Sequence, residues 1–358
     1  MKRIGIALST GCAIALVAAL VPAVASGVSV EAPTAVSVDE RKKPKPTKTP
    51  KPTKSPKPTK SPRPTPSPSP SAAVPAQAKT VGDWVDRQWT LIPAETDRFT
   101  YFVEPVVANS HWEAATISGA EASFRIHKAL GYPISRDFRV YMGWNDDWLR
   151  QNIPGGACSG LPPLHPAAQC WGTNIIRANF QAYTKWTPEY TPQSSPSAVD
   201  RLSLVGLLGH ELAHMVQEEV SPRYRERMQV ADSYWLVEGW AMVIEFMMAA
   251  RVFDMPYVQL RDYKLKAMGN YCLNTPLKDL LYKKSPFSCE YLKGFLAMEY
   301  LMSKTGDMSA GLTYMIQDAA TPQEAFKQAF SLDLDAFMEE ADRYADQEMR
   351  LYPLRKWI

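Results

Sequence analysis

Leu207-Leu208-Gly209-His210-Glu211-Leu212-Ala213-His214-Met215-Val216 is the stretch on which the reading of this 358-residue chain turns. At 3.6 residues per turn, His210 and His214 fall one above the other on a single helix face, so both ring nitrogens reach one metal ion. Glu211 sits beside them, where a carboxylate serves as general base toward a metal-bound water, and Zn2+ lowers that water's pKa to about 7. The flanks are apolar and uncharged, as a buried helix requires. The competing reading is a pair of satisfied core histidines, and a third ligand decides between the two, because a catalytic zinc site takes three protein ligands and leaves one position for water.

The expected third ligand is Glu238, in Tyr234-Trp235-Leu236-Val237-Glu238-Gly239-Trp240-Ala241. This is an apolar helical run, in which a carboxylate is costly to bury unless it is paired or bound to metal. Taken alone, such a glutamate is more often half-exposed or salt-bridged. HELAH followed by WLVEGWA resembles the gluzincin metallopeptidases, in particular the peptidase MA-like proteins and the aminopeptidase N type, in which the helix after H-E-x-x-H donates a glutamate. Tyr291-Leu292-Lys293-Gly294-Phe295 is similar to the Y-E-K-G segment of the aminopeptidase N type.

The resemblance covers roughly residues 100 to 305. It implies an α+β, zincin-like fold: a small mixed sheet lobe, an active-site helix and a mainly α-helical C-terminal lobe. It also implies Zn2+ held by His210, His214 and Glu238, with Glu211 as general base, Tyr291 as donor to the oxyanion, and a peptide or protein as substrate. Two departures stand out. Residues 215 to 237 make a longer interval than that family has, which predicts an extended inter-helix loop over Glu218 to Asp232. No G-x-M-E-N segment, which holds a substrate's free amino terminus in the family, lies upstream; an endopeptidase is therefore expected rather than an exopeptidase. The rival from a different class is a non-catalytic cell-surface binding module on the same fold, for which Glu211 would serve no purpose.

Outward from these motifs, Met1-Lys2-Arg3, the apolar run Ile4 to Leu20 and Val21-Pro22-Ala23-Val24-Ala25-Ser26 have the order of a secretory signal peptide cleaved after Ala25, with an uncleaved membrane anchor as the alternative. Residues 26–78 are expected to be a linker. Within it Lys-Pro-Thr units repeat, and eleven of the 30 prolines lie between Pro44 and Pro70, a composition that favours extended polyproline II and builds no core. Up to residue 72 there are 12 basic and 3 acidic residues, leaving 28 basic against 34 acidic in the remainder. The formal charge of +3 thus hides a basic tail on a body of net −6, which argues against a nucleic-acid-binding domain. The tail reads as a solvated spacer, with attraction to anionic cell-wall polymers or a membrane surface as the sharper alternative.

Residues 79–358 are expected to form the metallopeptidase domain, a monomer in two lobes. Its four cysteines, an even count in an exported chain, predict the local pairs Cys158 with Cys170 and Cys272 with Cys289; a cysteine-bound zinc is the weaker alternative. Patterning predicts strands over Phe99 to Val107, Phe138 to Trp144 and Thr173 to Tyr183, and a helix from Glu113 to Leu130. Beyond Glu238 the chain reads as helical, including Leu292 to Lys304, Ala310 to Asp318, Pro322 to Phe330 and Leu334 to Glu348. Met242, Met247 and Met248 read as core, and His111, His127 and His165 as non-ligands, because none pairs at ligand spacing.

Overall fold

The computed structural model of the chain describes residues 75–352 apart from 92–97, 133, 163, 186, 269–271 and 281–288, so the expectations for residues 1–25 and for nearly all of the linker lie outside the described residues. Helix α1 (Ala76–Leu91) begins three residues inside the stretch expected to be linker. Its Ala-Gln-Ala-Lys start favours helix, and Ala78, Val81, Gly82 and Val85 form a buried stripe that holds it to the body.

Four strands follow with helices between them: β1 (Phe99–Val103), α2 (His111–Ala129), β2 (Phe138–Gly143), α3 (Asp146–Asn152), β3 (Ala167–Cys170) and β4 (Ile175–Asn179). The sheet order is β1-β2-β4-β3. β1, β2 and β4 run parallel, with Tyr101 opposite Val140 and Val140 opposite Ile176, whereas β3 is an antiparallel edge strand with Gln169 opposite Ile176. β1 stops four residues short of the expected Val107, because Pro105 follows and the Glu104 carbonyl accepts the Val107 N–H at 2.9 Å in a turn, while the Glu104 carboxylate accepts the Trp144 N–H at 2.6 Å and the Asn145 amide at 3.1 Å. The strand expected over Thr173 to Tyr183 is confined to β4. Gly172 (φ +72°) and the Thr173 hydroxyl, bonded to the Cys170 carbonyl, form the preceding turn, and Phe180–Lys185 coils into a 3-10 helix.

The remainder is helical: α4 (Ala198–Val220), α5 (Tyr224–Arg227), α6 (Ala231–Val252), α7 (Tyr257–Met268), α8 (Cys289–Thr305), α9 (Ala310–Met315), α10 (Pro322–Phe330) and α11 (Leu334–Arg350). The fold is thus α+β, as expected. The predicted loop from Glu218 to Asp232 is shorter in fact, since α4 runs to Val220, α6 starts at Ala231 and α5 fills the gap. The described residues belong to one compact unit rather than two lobes: Phe138, Val140 and Ile176 of the sheet share one core with Trp235, Trp240 and Leu296 of the helices. Met242, Met247 and Met248 are buried in that core, as expected.

Glycines set how closely the central helices approach. A Cβ on Gly119 of α2 would lie 2.7 Å from the Val205 carbonyl of α4, and one on Gly206 of α4 would lie 2.9 Å from Glu245 of α6. Added methyls at Gly239 of α6 and Gly294 of α8 would strike the opposing backbone. α2, α4, α6 and α8 therefore pack nearly backbone to backbone, which brings the motif residues of three separate helices together. Cys158–Cys170 and Cys272–Cys289 are both bridged, with Cα separations of 4.9 and 5.3 Å, as the cysteine spacing predicts. Among the described residues no helix is long and apolar enough to cross a membrane.

Candidate metal centre

Ser197 caps α4 by accepting the Asp200 N–H at 3.1 Å, and the helix then runs 23 residues with its middle fully buried. Its apolar flanks bury the polar triplet His210, Glu211 and His214 with them. α6 is apolar on all sides and lies against α4, carrying Glu238, equally buried, to the same point. The Nε2 atoms of His210 and His214 are 3.0 Å apart, and Glu238 Oε2 stands 3.3 Å from each. Ligand atoms about 2.0–2.1 Å from a tetrahedral Zn2+ are about 3.3 Å from one another, so the three atoms already have the spacing of one face of such a site. Glu238 Oε2 is buried and faces the two imidazole nitrogens, which suits an oxygen aimed at a shared cation. This is the one group of metal-ligand type found among the described residues.

The partners of these three side chains suit the same purpose. His214 Nδ1 is 2.9 Å from Gln217 Oε1, and the Gln217 amide donates to the Val237 carbonyl at 3.0 Å. The proton therefore sits on Nδ1 and the Nε2 lone pair faces inward. His210 Nδ1 lies 3.6 Å from Glu245 Oε2, and Glu245 Oε1 takes the Lys264 ammonium at 3.2 Å. Burial opposes charge on His210, yet the carboxylates of Glu238 and Glu245 outweigh it and push its pKa up to about 10. Burial likewise opposes charge on Glu238, and the two imidazoles overcome it and hold the carboxyl well below the usual range. Without a cation, then, the two carboxylates favour the charged form of His210. Zinc uptake at pH 7 is expected to release about one proton per site, and to release fewer as pH rises through about 10. Titration calorimetry in buffers of different ionisation enthalpy measures this; a buffer-independent heat would refute it.

Glu211 points from the same helix toward the sheet, and its Oε2 accepts the backbone N–H of Gln169 on the edge strand β3 at 2.8 Å. Burial raises its pKa above the ordinary carboxylate value, while His210, His214 and the Gln169 N–H act in the opposite direction. Tyr291, in the first turn of α8, places its ring centroid 5.7 Å from that of His210. The close contact of Gly239 with Gly294 is what carries α8 to this distance.

The five residues singled out from sequence, His210, Glu211, His214, Glu238 and Tyr291, are thus brought into one neighbourhood. His127 and His165 are buried elsewhere, with burial lowering each to about 4, and His111 is exposed at the start of α2. Sequence reasoning missed Gln217, Glu245, the Gln169 N–H and Tyr224. Gln217, three residues after His214, and Glu245, seven after Glu238, lie at helical spacing that puts them on the faces that carry His214 and Glu238. Tyr224, in α5, is buried, and its hydroxyl has no hydrogen-bond partner among the described residues. Burial, with the charges of Glu238, Glu218 and Glu211, pushes its pKa far up, so it remains a protonated donor beside the carboxylates.

Comparison of the chain with family models, with curated proteins and with solved structures finds no match in any of the three.

Proposed function

We propose that the chain is a zinc-dependent peptidase of the gluzincin type with a zincin-like fold, and that it is exported. The observation that carries this reading is the convergence of His210, His214 and Glu238 to 3.0–3.3 Å with Glu211 next to them. The mixed sheet, whose antiparallel edge strand lies beside the two-histidine helix, supports it. His210, His214 and Glu238 would hold Zn2+, which when bound polarises a scissile carbonyl and acidifies water. Glu211, fixed at Oε2 by the Gln169 N–H, has Oε1 left to take the water's proton and pass it to the leaving amine. Tyr291 donates its hydroxyl proton in a hydrogen bond to the oxyanion of the substrate. The two disulfides fit an oxidising compartment outside the cytosol. The peptide or protein substrate would be met there, with the basic tail as spacer or as contact to an anionic wall or membrane surface. A binding module without catalysis is the weaker reading, because it uses the buried Glu211 carboxylate only to hold the Gln169 N–H and needs no basic oxygen beside the three proposed ligands.

The test is zinc content measured together with cleavage of a denatured protein mixture by the full-length protein. Chelator-sensitive cleavage is expected, and Glu238→Ala should lose the metal, since it removes one of three ligands. Full zinc occupancy in Glu238→Ala would sink the ligand assignment; stoichiometric zinc without any cleavage would favour the binding module. Tyr291→Phe is expected to lower kcat and kcat/KM together by about a hundredfold at unchanged zinc content, as loss of an oxyanion donor does. Unchanged steady-state rates in that variant would pass the role to another donor.

A further inference from the structure

We infer that Glu218 is a positioning residue for the general base, acting through Gln169 and the β3–β4 hairpin; the inference rests on the peptidase reading above. Glu211 and Glu218 are seven residues apart on α4, two helical turns, and so share the face that meets the sheet. Glu211 Oε2 takes the Gln169 backbone N–H at 2.8 Å, and Glu218 Oε2 takes the side-chain amide of the same glutamine at 2.6 Å. Glu218 also accepts the N–H of Gly172, in the turn between β3 and β4, at 3.1 Å through Oε1. One helix face thus grips one hairpin at three donors from two residues, and Gln169, held by Glu218 through its side chain, delivers its backbone N–H to the catalytic carboxylate.

The geometry explains why such a brace is needed. β3 is four residues long, lies at the sheet edge and pairs with β4 alone, so its ladder fixes it weakly in the direction of α4. Gln169 N–H points out of the sheet at Glu211 and takes no part in pairing with β4. A shift of the strand by a fraction of an ångström would therefore release the carboxylate, and misplacement of a catalytic group by about 1 Å can cost on the order of a hundredfold in rate. The Cys158–Cys170 bridge holds the far end of β3, at the residue next to Gln169. Glu218 holds the side that faces the helix. A charged acceptor on two neutral donors makes these stronger bonds than neutral pairs would give.

Glu218 touches none of His210, His214 and Glu238 in the described contacts, and this separates its role from metal binding. The test compares Glu218→Ala and Glu218→Gln in the full chain, with kcat and KM on a quenched fluorescent peptide library, zinc content, and exchange of the Gln169 amide proton. Glu218→Ala should lower kcat by about 10- to 100-fold, the range seen when outer partners of a site are removed, with KM and zinc content within about twofold. Glu218→Gln keeps a carbonyl oxygen that accepts one of the two donors, and should restore kcat to within about fivefold of the parent. Gln169 amide exchange should quicken by about tenfold in Glu218→Ala and by less in Glu218→Gln.

Parental kcat in Glu218→Ala would overturn the assignment. A loss of turnover that runs parallel to lost zinc or lowered Tm in both variants would also overturn it, by making Glu218 a structural brace only. Should the parent protein cleave no peptide, the peptidase reading fails, while amide exchange still decides the clamp: an unchanged Gln169 rate in Glu218→Ala refutes it.

Discussion

Glu211→Gln is expected to lose turnover by about two to four orders of magnitude, the range that general acid–base catalysis supplies, while its fold and zinc content stay as in the parent. The side chain is buried, so the near-equal size of the amide matters: a smaller residue would leave a cavity and mix packing loss with chemical loss. The amide oxygen would still accept the Gln169 N–H that Glu211 Oε2 accepts at 2.8 Å, so the hairpin contact survives. What disappears is the basic oxygen, because an amide takes no proton from water near neutral pH. The proposed ligands His210, His214 and Glu238 are untouched, and zinc content measured beside kcat separates chemistry from metal loss. Turnover near the parental rate, on any peptide the parent cleaves, would remove Glu211 from the mechanism.

Glu299→Ala is expected to cost about 3–5 kcal/mol of stability, the penalty for leaving a buried charge without its main partner. Glu299 and Arg261 are both 0 % exposed. The Arg261 Nε lies 3.0 and 2.9 Å from the two Glu299 oxygens, which also accept the hydroxyls of Tyr257 at 2.9 Å and Tyr344 at 2.8 Å. Glu348 at 2.9 Å, the Tyr344 hydroxyl at 3.1 Å and Asp262 at 3.7 Å would remain beside the guanidinium, which stays charged because an arginine side chain does not deprotonate in a folded protein. The cluster ties α7 and α11 to α8, the helix that carries Tyr291, so activity should fall with stability. A Tm lower by about 10 °C is the expected thermal signature for a domain of this size. A loss below about 1 kcal/mol would mean that Arg261 finds solvent or another acceptor.

The His210–His214 part of the site was legible because a helix repeats over a short range: His210, Glu211 and His214 lie within five residues, and 3.6 residues per turn fixes which way they point relative to one another. The same short range explains why both disulfides were predicted, their loops being local, and why α10, started by Thr321-Pro322 with Glu324, was bounded correctly from sequence. The strands were harder. β4 was merged with its flanks and β3 went unrecognised, because four buried residues, Ala167 to Cys170, have no alternation to read.

By itself, then, the sequence determined the α+β class and the helical spacing that sets His210, Glu211 and His214 side by side. The tertiary structure alone decided that β3 pairs antiparallel with β4 and turns the Gln169 N–H onto Glu211. It also decided that Glu245 and Gln217 stand behind the two imidazoles, and that Gly239 and Gly294 let α6 and α8 touch so that Tyr291 approaches His210. The physical reason is range. Helical phase is a property of neighbouring residues, whereas strand register and helix crossing are set by contacts between segments dozens of residues apart, whose shapes must fit before either is defined.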